Sequence, residues 1–318
     1  MRMVRRRKSA SPPRESAHLV LVTGALGYTG RSLVRALLDA GFAVRATDVR
    51  LPRPSTPFER QWRLDADPRA TYEVADVSSS DDCASAVRGD VHAVFHVGAL
   101  VPFNLGRAAS RAQLLAVNTV GTHNLLTAAA ATGRVRTFVF ASSTGVVFAG
   151  RDIAGSDESI PRADERGEPF NDAYSESKGR AERLVLAANR ATVDGGGMAT
   201  IALRPNGIWG VGEAHHTPKV IVSARLGVEH LVLGRGDSRT DWVHVDDLVS
   251  ALLAAYRCTC GDGSSGGSTS SNAKRVATAG QAYFITSPWR MHTQVCCSGR
   301  RPALALACSA PIAPNTRV

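Results

Sequence analysis

The run Tyr174-Ser175-Glu176-Ser177-Lys178 places a phenol four residues before an ammonium. On a helix, side chains at that spacing lie on one face, one turn apart. A free tyrosine titrates near ~10 and is a poor acid–base catalyst at neutral pH. A neighbouring ammonium favours the phenolate and lowers that value. The pair is therefore expected to take a proton from a hydroxyl while hydride leaves the same carbon. With five tyrosines and four lysines in 318 residues, this spacing arises by chance about 0.06 times. The alternative is a surface Tyr–Lys pair. Ala141-Ser142-Ser143-Thr144 ends an apolar run, where the Ser143 hydroxyl can hold a substrate oxygen. Asn118, in Asn118-Thr119-Val120-Gly121, is a polar residue on an otherwise apolar helix. It is expected to bond backbone or a relay water, or to mark a helix bend.

A second constellation follows the first apolar run. Thr23-Gly24-Ala25-Leu26-Gly27-Tyr28-Thr29-Gly30 has the pattern G-x-x-G-x-x-G between a strand and a helix. Gly24 permits the turn, Gly27 clears space for a pyrophosphate, and Gly30 lets helix pack on strand. The helix N-terminus offers N–H groups and a positive dipole end to the phosphates. Asp48, 24 residues after Gly24, is placed to accept both adenosine ribose hydroxyls and to repel a 2′-phosphate, which favours NAD. Arg45 and Arg50 weaken that preference. Asp76-Val77 follows the third strand, where Asp76 either meets the adenine amino group or caps a helix.

The elements that must position these groups alternate. Strands are predicted at 18–22, 42–47, 72–75, 91–97, 135–141 and 199–203. Helices are predicted near 31–40, 80–88, 111–131 and 175–190. In the first helix Leu33, Val34, Leu37 and Leu38 form one stripe and Gly41 supplies the stop. Strand and helix in repetition imply an α/β, Rossmann-type doubly wound parallel sheet. After Arg204 the rhythm loosens, with helices near 218–227 and 246–256. Residues 261–272 are a Gly/Ser stretch expected to be a flexible surface insertion, and 280–286 form one more strand. The expected organisation is a disordered basic leader over 1–17, an NAD-binding domain over 18–203, a substrate lobe over 204–286 interleaved with the last strands, and an irregular tail over 287–318. The tail has no acid, and Pro288, Pro302, Pro311 and Pro314 interrupt it. It is expected to lie outside the fold, as an aberrant or truncated C-terminus. The leader is rich in Arg and Ser, so a targeting peptide is the alternative there.

Composition narrows the function. The chain is 44% apolar and 21% charged, ordinary for a globular protein. The net charge of +10 suggests nucleic acid, but residues 1–16 hold six Arg/Lys against one Glu and residues 289–318 hold four Arg against no acid. A nucleic-acid binder carries its basic surface on the folded domain, so no nucleic acid is expected. No run of ~18 apolar residues predicts a transmembrane helix. Six cysteines without a C-x-x-C pair give no disulfide scaffold and no zinc spacing, and no metal is expected. A reducing compartment is the default.

The glycine loop, His96-Val97-Gly98-Ala99, N-T-V-G, S-S-T and Y-S-E-S-K together resemble the extended short-chain dehydrogenases/reductases. Asp157-Glu158-Ser159, Leu203-Arg204-Pro205-Asn206-Gly207-Ile208-Trp209-Gly210, 241–248 (DWVHVDDL) and 280–285 (GQAYFI) are similar to the 3β-hydroxysteroid dehydrogenase/isomerase-like branch. The likeness covers residues 18–286. It implies a Rossmann domain with a small C-terminal substrate lobe and NAD-linked oxidation of a 3β-hydroxyl on a hydrophobic ring alcohol such as a sterol. It assigns catalysis to Ser143, Tyr174 and Lys178, with Asn118 in support. It places Gly24, Gly27, Tyr28, Gly30, Asp48, Asp76, Val77, Val97, Ala99, Tyr174, Lys178 and Pro205 at the cofactor. Gly98 stands where Ala or Ser is usual in the family. Family members continue past Ile285 with a helical lobe, often membrane-associating, which residues 287–318 do not resemble. Two other readings share these residues. One is a nucleotide-sugar epimerase or dehydratase, with Arg225, Arg235 and Arg239 on the sugar diphosphate. The other is an inactive NAD-binding scaffold. A homodimer is among the assemblies open to the chain.

Overall fold

The β-branched runs meet in one parallel sheet. A computed structural model describes residues 18–52, 67–104, 107–153, 155–192, 196–213, 217–226, 240–260 and 269–286. The leader, the tail, most of the Gly/Ser stretch, Arg235 and Arg239 lie outside the described residues. The strands are β1 (Leu19–Thr23), β2 (Ala43–Asp48), β3 (Ala70–Val74), β4 (Val91–His96), the short antiparallel pair β5 (Phe103–Asn104) and β6 (Arg107–Ala108), β7 (Thr137–Ala141), β8 (Ala199–Pro205), the short parallel pair β9 (Gly207–Trp209) and β10 (Trp242–His244), and β11 (Gln281–Ile285). Seven of them form a sheet in the order β11-β8-β7-β4-β1-β2-β3, parallel throughout.

Alternation along the strands divides the core. Val20, Val22, Ala93, Phe95, Val139, Ile201 and Leu203 face α1 (Tyr28–Asp39) on one side. Leu21, Val94, Phe138, Phe140 and Ala202 face the other, against α2 (Ser80–Ala86) and a long helical rod. The rod runs as α3 (Arg111–Leu114), a π-helical segment (Leu115–Val120) and α4 (Gly121–Thr132), with α5 (Ala173–Ala187) packed beside it. Burying both faces is what an all-parallel sheet requires. The predicted stripe on α1 is fully inside, and Gly41 ends that helix at φ +94°.

After β8 the chain leaves the sheet through β9, α6 (Thr217–Arg225) and β10. It returns as α7 (Val245–Cys260), which packs on α1, then α8 (Thr269–Thr278) and β11. Two expectations are corrected here. The helix predicted over 111–131 is not uniform, because the widened turn at 115–120 turns Asn118 inward. The Gly/Ser stretch does not remain a loop to its end, because α8 already begins at Thr269. Among the described residues no helix is long and apolar enough to cross a membrane, Cys83 is free, and Cys258 is disulfide-bonded.

The helix α8 is held by one cation. Arg275 is 1% exposed. Its guanidinium donates to the carbonyls of Thr259 (2.7 Å), Gly196 (2.9 Å), Gly197 (2.7 Å) and Arg136 (3.3 Å). These belong to α7, the turn before β8 and the segment before β7. Replacing it leaves several buried carbonyls without donors, and each such loss costs ~1–3 kcal/mol. Arg275→Met is expected to lower stability by about 3 kcal/mol, read as an earlier urea midpoint. An unchanged midpoint would show that α8 docks without this staple.

Candidate active site

The order of strands reverses between β1 and β4, and ligands bind beyond the carboxyl ends of strands at such a switch point. The glycine loop lies there. Gly24 has φ +66°, and a Cβ on it would stand 2.4 Å from Gly98 Cα. A Cβ on Gly30 would stand 2.1 Å from Gly24 O. A Cβ on Gly27 would meet Gly24 O alone, at 3.1 Å, so its other side is open. The helix α1 starts here with no side-chain cap and no acid in its first turn, which leaves its N–H groups and dipole to an anion. The Asp48 carboxylate reaches the Leu26 N–H (3.0 Å) and the Val49 N–H (2.9 Å), beside the loop. Arg45 is turned to other work: it donates to Ala86 O (2.9 Å) and Arg88 O (2.7 Å). The loop, the helix start and the acid fit a dinucleotide without a 2′-phosphate.

Other expected cofactor residues divide. Val97 is half-buried and Ala99 exposed, flanking Gly98 at the end of β4, and Pro205 ends β8. Val77 packs on Gly121, where a Cβ would lie 2.6 Å from it. Asp76 does not cap α2; Ser79 does, accepting the Asp82 N–H. Asp76 is exposed and accepts the Ser78 N–H (2.9 Å) and O–H (2.7 Å). The Tyr28 side chain reaches the turn after β9. Its hydroxyl is buried without a hydrogen-bond partner, 2.6 Å from where a Gly210 Cβ would be, and burial pushes it up to about 12. What Tyr28 offers an anion is its backbone in the first turn of α1.

The catalytic residues ride on α5. Asp172 caps this helix, its carboxylate accepting the Ser175 N–H at 2.8 Å, which puts Tyr174 in the first turn. Lys178 follows one turn later, buried, with Nζ 4.1 Å over the Phe140 ring on β7. One turn further is Glu182, fully buried, which sequence reasoning missed although it repeats the four-residue spacing. Glu182 accepts from Ser142 Oγ (2.6 Å) and from Arg204 Nε (3.0 Å) and Nη2 (2.7 Å), with Arg162 at 4.0 Å. It thereby joins the ends of β7 and β8. Ser143, next in the chain, is half-buried; its Oγ accepts the Gly145 N–H at 3.1 Å, leaving its own proton to donate.

Burial lowers Lys178 to about 7, with Glu182 pulling the other way. The direction expected for Tyr174 is reversed: burial first, then Asp172, push it up to about 12. Asn118 bonds backbone and sits in the widened turn, as its place on the helix led us to expect. Its Oδ1 accepts the Leu100 N–H (2.7 Å), and its Nδ2 donates to Leu100 O (2.9 Å) and Ser177 Oγ (2.9 Å). It touches neither Tyr174 nor Lys178 by hydrogen bond, and it fixes the loop after β4 to α5.

A family model described as the 3-beta hydroxysteroid dehydrogenase/isomerase family matches residues 21–294. A Mycobacterium tuberculosis protein named 3 beta-hydroxysteroid dehydrogenase/Delta 5-->4-isomerase is 38% identical over 286 residues, covering 89% of this chain and 68% of the relative. Short-chain dehydrogenase/reductase family 42E member 1 of Danio rerio is 35% identical, covering 84% and 62%. The chain thus spans about two thirds of the length of these relatives. Among solved structures, UDP-glucuronic acid 4-epimerase from Bacillus cereus, in complex with NAD, superposes with a TM-score of 0.64 at 19% identity, covering 85% of this chain and 79% of that one. That likeness shows the Rossmann-like fold. The chain belongs to the 3-beta hydroxysteroid dehydrogenase/isomerase family, NAD-dependent oxidoreductases acting on CH–OH groups.

Proposed function

We propose that this chain binds NAD and oxidises the 3β-hydroxyl of a steroid or sterol-like ring. The observation that carries the reading is the placement of Tyr174 and Lys178 on successive turns of α5, at the same sheet edge as the glycine loop and Ser143. Held by the glycine loop and Asp48, NAD would supply the acceptor for the hydride of the carbinol carbon. The Ser143 hydroxyl donates to the substrate oxygen and orients it. Tyr174 Oη takes the hydroxyl proton. Because Tyr174 holds its own proton strongly, oxidation requires the phenolate to be stabilised by Lys178 in its charged form. Glu182 supports that form, and Phe140 receives the ammonium on its ring face, an interaction worth ~2 kcal/mol when desolvated.

The substrate class rests on surface and on kinship. Val211, Ile221, Val222 and Leu226 are exposed apolar residues in and around α6. Covering such surface contributes ~25 cal/mol per Å², so a ring alcohol needs little polar recognition beyond its hydroxyl. The Mycobacterium tuberculosis relative carries a steroid in its name. Of the three arginines that a sugar diphosphate would use, Arg225 is on α6 and exposed.

Three measurements test the reading. Tyr174→Phe is expected to lower kcat by ~10²–10⁴-fold with NAD affinity unchanged; full activity in that variant would show that another group moves the proton. NAD is expected to bind more tightly than NADP, and Asp48→Ala with an added arginine to raise NADP use. Tighter NADP binding by the unmodified protein would overturn the role of Asp48. In thermal shift, a 3β-hydroxysterol is expected to stabilise the NAD-loaded protein. Protection by a UDP-sugar alone would transfer the assignment to an epimerase, and NAD binding without any turnover would leave a scaffold.

A further inference from the structure

We propose that His96 is a positioning residue, held as the neutral Nε2–H tautomer, through which a one-way chain of buried hydrogen bonds ties the cofactor loop at Thr23 to the helix carrying Tyr174 and Lys178. The inference rests on the function proposed above for its catalytic meaning, and on geometry alone for the tautomer.

The proton directions are fixed by two carbonyls. Thr122 Oγ lies 2.6 Å from Asn118 O. A carbonyl can only accept, so the one hydroxyl proton of Thr122 is committed there. Thr122 Oγ also lies 3.0 Å from His96 Nε2, and it can take part in that bond only as acceptor. His96 Nε2 therefore carries hydrogen. At the other end Ser177 Oγ lies 2.8 Å from Tyr174 O and commits its proton in the same way, so it accepts from Asn118 Nδ2. The Asn118 amide cannot be flipped, because its oxygen receives the Leu100 N–H.

What remains is His96 Nδ1, 2.7 Å from Thr23 Oγ. A second proton there would make an imidazolium, fully buried and facing the Lys178 ammonium; both effects push His96 down to about 3. Nδ1 is thus bare and accepts from Thr23. Every bond then points from Thr23 through His96, Thr122, Asn118 and Ser177 to the Tyr174 carbonyl. The imidazole ring itself lies 5.5 Å from Phe140, the ring that receives Lys178. Thr23 adjoins Gly24, so the chain links the loop that turns at β1 to the first turn of α5.

The test uses the full chain with ¹⁵N-labelled histidine. The expected imidazole spectrum of His96 shows one protonated nitrogen, Nε2, unchanged from pH 5 to 8. A protonated Nδ1, exchange between tautomers or titration within that range would overturn the proposal. Thr122→Val removes the only acceptor that forces the choice, and is expected to admit the Nδ1–H form with Thr23 as acceptor. Hydrogen exchange at residues 174–178 should then quicken, and kcat fall by about tenfold or more with the substrate KM little changed. Thr137→Val is the control, since Thr137 Oγ is buried without a partner; it should move none of these. Unchanged exchange and kcat in Thr122→Val would overturn the positioning role. Absence of turnover in the unmodified enzyme would instead count against the proposed function, while the spectrum and the exchange still decide the role of His96.

Discussion

The fold turns on the approach of two backbones at the switch point. Gly24 and Gly98 lie so close that a single methyl on Gly24 would fall 2.4 Å from Gly98 Cα. That contact sets where the β1 loop stops and α1 begins. The N-terminus of α1 then faces outward beyond the sheet, and Asp48 on the neighbouring strand can reach the Leu26 N–H. Widening the gap by one Cβ would shift both the anion site and the acid that reads the ribose. The demand falls on Gly24, which needs its φ of +66°; a Cβ on Gly98 would meet Gly24 N at 3.1 Å, so a small side chain there asks the loop to give by only a few tenths of an ångström.

The second organising feature is charge placed where water is excluded. Lys178, Glu182, Arg204 and Arg162 are all buried, and Glu182 is not exposed at all. Desolvating such groups costs several kcal/mol per ion, which their pairing seldom returns with a surplus. Their contribution is positional. Glu182 holds Ser142 from β7 and Arg204 from β8, so the residue before Ser143 and the residue before Pro205 are fixed by one carboxylate. The same carboxylate opposes the desolvation of Lys178.

Much of this was legible in the sequence. The stripe Leu33, Val34, Leu37 and Leu38 has a helical period, and the strands β1, β4 and β7 read as continuous apolar runs, because a parallel sheet buries both faces. The loop glycines and the Tyr174–Lys178 spacing were visible because they are local. What was hidden depends on tertiary contact. The π-helical turn at Asn118 exists because its side chain finds Leu100 and Ser177, each far away in the chain. The helix α8 was obscured by the Gly/Ser run before it, and the burial of Arg275 is set by carbonyls from three other elements. The titration of Tyr174 was misjudged because desolvation cannot be read from spacing.

The position of β11 bears on how the chain reaches this state. Its partner β8 is buried at all seven positions, yet β11 follows it by some 75 residues and is the last described strand to be synthesised. Until Gln281–Ile285 arrives, β8 is the open margin of an otherwise assembled sheet, apolar and unpaired on one side. Such margins recruit other chains during folding. Pairings between distant segments also form slowly. Completion of the sheet thus rests on a pairing between segments far apart in the chain.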